Sequence, residues 1–514
     1  MLKDTQTTER STNFMDLLQQ QGTTFTLNGA VLNDTSGSKL VDINSCIPEL
    51  RRLAIKKDYK ELYRLFNAAY KENSEYALRW LLYLRDIKSG IGERQSFRAL
   101  LIAIGIYDSI LLNKILTLDL PSFGRYDDII SIFNEVNATT QDIIVSFIKL
   151  QLQKDIQAVY TGNISLLAKW LPSINTSNKS QCRLAKTLAK RLHATPKEYR
   201  QTLSILRKVI NIVEDQMRRN DWSNICYEHV PSKANLKYKH AFLRHDLDRR
   251  LQYLNEVQHG NKVIHASTAF PSDIVNQYID RFSSIKPYDL TLENMWNNLQ
   301  TYDGFHDTVI VRDGSGSMGS NIPGSTITAL TVADALTLYC CQNNKGQYKD
   351  KFITFSSNAK IVDISDCKTL RDKLMELHRH NDCSNTNIQN VFDLILRTAV
   401  RNNCSQEDLP RSVLIISDME FDACTYRTPR LEELFTSIGE EYHAAGYELP
   451  RLIFWNVNSH TNGIPLNRHK SGTILMSGYS QTLLQMAMSS QTSPLKVLIE
   501  TLSHQRYDCV KSIL

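Results

Sequence analysis

The apolar residues of this chain change period once, and that change divides what it can fold into. Over residues 43–282 they recur at three and four, as in Ala77-Leu78-Trp80-Leu81-Leu82-Leu84, which puts them on one face of successive helices. Breaks at Ser89-Gly90-Ile91-Gly92, Pro121-Ser122-Phe123-Gly124, Leu171-Pro172-Ser173 and Thr195-Pro196 cut this stretch into helix pairs. Stacked pairs predict an all-α helical-repeat domain over residues 26–290, curved into a solenoid or ring with one broad concave surface. After Pro287, β-rich runs at 308–311, 351–355, 412–416, 452–457 and 473–476 alternate with helical stretches. That alternation predicts a second domain over 300–514, α/β and doubly wound, with a parallel sheet covered by helices on both faces. Residues 1–25 are polar and rich in Thr and Gln, and are expected to form a mobile arm with a short helix around Met15-Asp16-Leu17-Leu18.

A chain of 514 residues is too long for one core, and 42% hydrophobic with 22% charged residues is ordinary for a soluble protein. No apolar run approaches the roughly 20 residues that cross a bilayer, and the amino terminus lacks a signal pattern. A cytoplasmic protein without a membrane partner is expected. Ten Cys residues contain no Cys-x-x-Cys pair, which argues against a zinc module or a disulfide framework. The net charge of +6 is modest but uneven: residues 179–262 hold 18 Lys or Arg against 8 Asp or Glu, so the remainder is net acidic. Such a segment can meet phosphates, or it can be a solvated helix face.

Asp313-Gly314-Ser315-Gly316-Ser317 follows the first β-rich run, at the carboxyl edge where open α/β sheets bind ligands. Alternate residues on a tight Gly-containing turn can aim three oxygens at one point, which suits a hard divalent cation; the plainer alternative is a turn that caps the next helix. The loop resembles the metal-ion-dependent adhesion site (MIDAS) of von Willebrand factor A domains, whose signature is Asp-x-Ser-x-Ser. That resemblance implies a Rossmann-like fold and a site completed by Asn385-Thr386-Asn387 and by Val413-Leu414-Ile415-Ile416-Ser417-Asp418. It further implies direct coordination of Mg²⁺ or another divalent cation by Ser315, Ser317 and Thr386, with Asp313 and Asp418 acting largely through water. One position would stay open for a partner's carboxylate. Thr386 also reads as the N-cap of a helix beginning near Ile388.

Several phrases, in order, resemble the DUF2828 family, which couples a helical domain to a von Willebrand A domain. They include Asn28-Gly29-Ala30, Arg85-Asp86-Ile87-Lys88-Ser89-Gly90-Ile91-Gly92-Glu93-Arg94, Phe123-Gly124-Arg125-Tyr126-Asp127-Asp128, Ala168-Lys169-Trp170-Leu171-Pro172-Ser173 and Ser417-Asp418-Met419-Glu420-Phe421-Asp422. That family is similar in architecture to the Ro (TROVE) ribonucleoproteins, whose HEAT-like helical repeats close into a ring and bind RNA. The resemblance implies RNA contacts from the basic stretch, with Lys186, Lys190, Arg191, Arg200, Arg207, Lys208, Arg218 and Arg219 as candidates. Trp170, Tyr199, Trp222 and Tyr238 would stack unpaired bases, although core roles are the more common use of such residues. Arg85, Asp86, Glu93 and Arg94, like Arg125 and Asp127, are expected to be solvated pairs or helix caps. His229, His240, His245 and His265 show no metal-ligand spacing.

An enzyme is not expected. The chain has no Gly-Lys dipeptide and hence no standard P-loop, and residues 314–319 fail the Gly-x-Ser-x-Gly spacing. A metal-dependent phosphodiesterase using Asp418, Glu420 and Asp422 would have fewer charges around its metal than nucleases gather. Two non-catalytic readings remain: a Ro-like RNA-binding protein in which the A domain contacts a partner or closes the ring, and a Mg²⁺-dependent protein-interaction scaffold without RNA.

Overall fold

The computed structural model describes residues 23–25, 31–33, 36–280, 282–303, 305–355, 359–381, 388–420, 431–458, 472–488 and 493–514. A helical part is followed by a mixed α/β part. Within the expected N-terminal arm, Thr23–Phe25 (β1) pairs antiparallel with Val31–Asn33 (β2), while the helix expected near Met15 lies outside the described residues.

The helices run from Lys39–Ser45 to Leu290–Asn297 and differ in length, from four residues in Leu120–Phe123 to twenty in Ala138–Gln157. Their starts are set by short polar side chains that accept backbone N–H bonds. Asp58 caps Tyr59–Glu72, Asn137 caps Ala138–Gln157, and Thr195 forms a capping box with Glu198 at Pro196–Ile210.

The α/β part is built on a six-stranded sheet: Thr308–Asp313 (β3), Lys351–Phe355 (β4), Lys360–Asp363 (β5), Ser412–Ser417 (β6), Arg451–Asn456 (β7) and Thr473–Ser477 (β8), in the spatial order β5-β4-β3-β6-β7-β8. All pairings are parallel except β4 with β5. Every residue of β3 and β6 is buried, as two-faced cover of a parallel sheet requires. The five expected runs became strands within one or two residues at each end. The edge strand β5 was not foreseen, because three of its four residues are exposed and no continuous apolar run marks it.

Both ends of the helical part grip the α/β part. At one end, helix Pro494–Leu502 and the 3₁₀ segment Gln505–Ser512 pack on helix Ser74–Arg85. Arg79 there donates to Leu502 O (3.0 Å) and pairs with Asp508 (2.6 Å). At the other end, Glu293 accepts from the Leu370 and Arg371 amides at 2.8 and 3.2 Å, and Trp296 Nε1 donates to Gln342 at 2.6 Å.

Most of the charges expected to form solvated pairs or caps are buried or half-buried in ion pairs instead, and Glu93 also caps helix Gln95–Tyr107 through the Gln95 and Ser96 amides. Arg85 is buried against Asp128 (2.7 Å), which also holds Arg98 (2.7 Å). Asp86 is fully buried and receives Arg506 Nε at 2.5 Å, Arg506 Nη2 at 3.0 Å and the Tyr507 hydroxyl at 3.1 Å. Glu93 is held by Arg51 at 2.6 Å. Asp127 pairs with Arg98 at 2.5 Å rather than with Arg125, and Arg94 alone of the first group is exposed. Local spacing misled here because each partner lies far away in sequence.

The glycines between these charges are needed for close approach. A Cβ on Gly90 would stand 2.1 Å from the Tyr83 carbonyl oxygen, a backbone atom that cannot step aside. One on Gly124 would stand 2.4 Å from Asp128 Oδ2 and 2.8 Å from Arg85 Nε. Gly90→Ala and Gly124→Ala should each destabilise by about 1–3 kcal/mol, as overpacking does. Denaturant midpoints at unchanged slope measure this, and wild-type midpoints would contradict it.

Candidate metal centre and basic face

Strands β3 and β6 lie side by side where the strand order reverses direction, so the loops leaving their carboxyl ends part and leave a crevice. Asp313 ends β3 and Asp418 directly follows β6, which places two carboxylates at the same edge, both wholly buried. Asp313 accepts from the Ser315 amide at 2.9 Å and from the Ser417 hydroxyl at 2.5 Å. Ser417 Oγ in turn accepts from the Met419 amide at 2.9 Å, so one hydroxyl ties the two loops together. The Ser315 and Ser317 hydroxyls are 3.1 Å apart, and Ser317 also bonds the Asp418 carboxylate. Asp418 accepts from the Glu420 amide at 3.2 Å with one oxygen. Its other oxygen, Oδ2, is buried and has no hydrogen-bond partner among the described residues.

Burial pushes the Asp418 carboxyl up to about 8; the charge of Asp313 adds to the rise and the Ser317 hydroxyl opposes it. Asp313 is raised as well, again by burial, against the pull of its Ser417 and Ser315 bonds. Two buried acids at one sheet edge, with a carboxylate oxygen that has no hydrogen-bond partner among the described residues and two hydroxyls beside it, are a donor set that a divalent cation fits. Met419, between Asp418 and Glu420, is held at φ +63°, a left-handed conformation costly for a side chain with a Cβ and typical of binding sites. The loop does not cap a helix: Gly316–Gly319 is a short 3₁₀ turn without a side-chain cap, and the long helix Ala329–Asn343 is capped by Thr328. Thr386 lies outside the described residues. Among the described residues no group of three or more His, Cys, Asp or Glu is placed to hold a metal, and His245 is stacked on Trp222 at 4.4 Å.

The basic candidates are placed unequally. Arg207 donates to the carbonyls of Ala168 and Leu171 and to Ser173, which makes it an internal brace. Arg218 and Arg219 both pair with Asp215, and Arg191 pairs with Asp142. Lys186, Lys190, Arg200 and Lys208 are exposed. Two further cations on the first of these helices were not among the candidates. Lys179, Arg183, Lys186 and Lys190 stand at i, i+4, i+7 and i+11 of helix Lys179–Arg191, all exposed, and the helix contains no acid. They form one stripe about 16 Å long at 1.5 Å per residue. The spacing was readable in the sequence; the segment-wide charge count obscured it. Of the aromatics, Tyr199 is buried with its hydroxyl on Pro172 O (3.0 Å), Trp222 stacks on His245, Tyr238 is partly buried beside Phe242, and Trp170 carries the Arg125 guanidinium 5.1 Å from its ring centre.

Residues 140–303 match the family model "Domain of unknown function (DUF2828)", and residues 307–506 match "Domain of unknown function (DUF7788)". The chain is 26% identical over 516 residues to the uncharacterized protein L728 of Acanthamoeba polyphaga mimivirus, covering 93% of this chain and 87% of that one. Among solved structures it is similar to the Ro (RSR) protein of Deinococcus radiodurans, with 13% identity, a TM-score of 0.34, and coverage of 88% of this chain and 92% of that one. The eight described cysteines are free thiols, and among the described residues no helix is long and apolar enough to cross a membrane.

Proposed function

We propose that this chain is a non-catalytic, cytoplasmic RNA-binding protein whose helical part meets phosphates and whose α/β part is a von Willebrand A-type domain holding Mg²⁺ for contact with a partner. The acid-free stripe Lys179-Arg183-Lys186-Lys190 carries the RNA reading, since among the described residues none of its four cations has an ion-pair partner. Four cations at helical spacing on an exposed face offer a flexible phosphate backbone four charge-assisted contacts. The metal reading is supported by the paired acids, the two serine hydroxyls and the unpartnered Asp418 oxygen. Strand order β5-β4-β3-β6-β7-β8 with one antiparallel edge strand is compatible with that domain type.

Four phosphate contacts on a single strand give a salt slope near −2.8, hence about fifty-fold weaker binding at 200 mM than at 50 mM salt. The test is fluorescence anisotropy with labelled RNA bearing a single-stranded end, comparing wild type with Lys179→Glu/Arg183→Glu/Lys186→Glu/Lys190→Glu. The folded variant should lose binding at all salt concentrations. Wild-type affinity in the variant would refute the stripe as the RNA contact. The second reading, a protein scaffold without RNA, draws on the same open metal edge. It predicts a complex abolished by chelator and insensitive to moderate salt.

A further inference from the structure

A cavity of about 530 Å³ lies between the helical part, which lines it with residues from 51–125 and 233–273, and the α/β part, which lines it with residues from 322–332 and 479–481; none of the Asp313–Ser317 loop or of the basic stripe lines it. Five cations line it, Arg51, Arg85, Arg94, Arg125 and Lys233, against only two acids. Three of the five are neutralised: Arg51 by Glu93, Arg85 by Asp128, and Lys233 by Asp273. Among the described residues Arg94 and Arg125 have no ion-pair partner. The acid that attracts Arg125 most, Asp127, already has one oxygen on Arg98 at 2.5 Å, and the Arg94 and Arg85 charges repel Arg125. Arg125 nevertheless keeps its place, resting on the Trp170 ring.

The neutral part of the wall is also incomplete. Gln481 uses its amide nitrogen on the carbonyls of Ser267 (3.4 Å) and Ala269 (3.3 Å), which leaves Oε1 buried without a partner. The Tyr479 hydroxyl is likewise buried and unpartnered. A buried acceptor and a buried hydroxyl without partners each cost free energy unless a ligand satisfies them. Two uncompensated guanidinium groups call for a dianion, a lone amide oxygen calls for a donor such as a sugar hydroxyl, and the Phe270 edge adds an apolar wall. The volume suits a mononucleotide-sized molecule and not a folded polymer.

We propose that this cavity binds a small hydroxyl-bearing phosphate ester, its phosphoryl group between Arg94 and Arg125 and a hydroxyl on Gln481 Oε1. Ligand contact through Arg94, Arg125 and Gln481 would then bridge the helical part and the α/β part, so binding stabilises their association. The site is separate from the stripe, and the RNA reading stands or falls without it.

The test is isothermal titration calorimetry on the full chain in low-salt buffer with adenosine monophosphate, ribose 5-phosphate and inorganic phosphate, and with adenosine as the phosphate-free control. Both esters should bind more tightly than inorganic phosphate, and adenosine should not bind. Arg125→Ala should weaken the esters at least ten-fold, and so should Arg94→Ala, which changes an exposed side chain and keeps the fold intact. Gln481→Leu should weaken the esters by removing the acceptor of the ligand hydroxyl. The four-cation reversal in the stripe should leave ester binding unchanged. No heat with either ester at millimolar concentration, or undiminished binding in folded Arg94→Ala, would overturn the proposal. So would occupancy by RNA alone, with neither ester competing.

Discussion

Replacing Arg312 by Met is expected to destabilise the protein by about 3–5 kcal/mol, the cost of leaving a buried charge without its partner. Arg312 sits on β3 directly before Asp313 and is completely buried. Its Nε donates to Asp334 at 2.6 Å, its Nη1 to the Thr354 hydroxyl at 3.3 Å, and its Nη2 to Asn381. Asp334 is 1% exposed and has no hydrogen bond at its second oxygen, so the guanidinium is its main compensation. The pair clamps helix Ala329–Asn343 to the central strand, below the loop that carries the metal residues. Its removal should therefore loosen the Asp313–Ser317 loop as well as the core. The double variant Arg312→Met/Asp334→Leu removes both charges and should recover most of the loss, because a buried ion pair gives little net stability over well-packed apolar side chains. Urea denaturation of the two single variants and the double variant reads the coupling directly. A double variant as unstable as Arg312→Met would show that the cost comes from lost packing and not from the orphaned charge.

How much of this was legible depended on how local each cause is. Strand Ser412–Ser417 is legible to within one residue because its centre, Val413-Leu414-Ile415-Ile416, is an unbroken apolar run buried on both faces, and Lys351–Phe355 is legible to the residue from its β-rich composition. The shared edge of Asp313 and Asp418 was legible for a related reason: Asp313, Ser315 and Ser317 share one pentapeptide, and each acid marks the end of an apolar run. What escaped was non-local. Ser417 was quoted as part of a strand end, yet nothing in its neighbours says that its hydroxyl clamps Asp313 across 104 positions. Asp86 looked like one member of a surface pair until Arg506 and Tyr507 reached it from the other end of the chain. Composition has the matching weakness: it counts Arg207, Arg218 and Arg219 as cations while their carbonyl and carboxylate partners stay hidden.

Mg²⁺ should raise the melting temperature, and the rise should grow with pH from 6 to 8. The Asp418 carboxyl stands at about 8 without a cation, with Asp313 raised beside it. An unfolded Asp titrates near 3.9. Between those values the metal-free folded state holds more protons than the unfolded chain, so its stability falls as pH climbs through the window. A cation needs the deprotonated form, and so must displace at least one proton below pH 8. Apparent Mg²⁺ affinity is therefore expected to increase about ten-fold per pH unit up to about pH 8 and then level off. Chelator should abolish the increment, and Asp313→Ala should remove it at every pH. Asp418→Asn provides the sharper comparison: it takes away a buried charge, so the metal-free variant should equal or exceed wild-type stability at pH 8 while losing the response to Mg²⁺. Thermal melts at pH 6, 7 and 8 with and without Mg²⁺ decide the matter. Equal increments at pH 6 and 8 would mean that Asp418 is not the titrating group at the site, and no increment at any pH would mean that this serine-lined crevice does not take Mg²⁺.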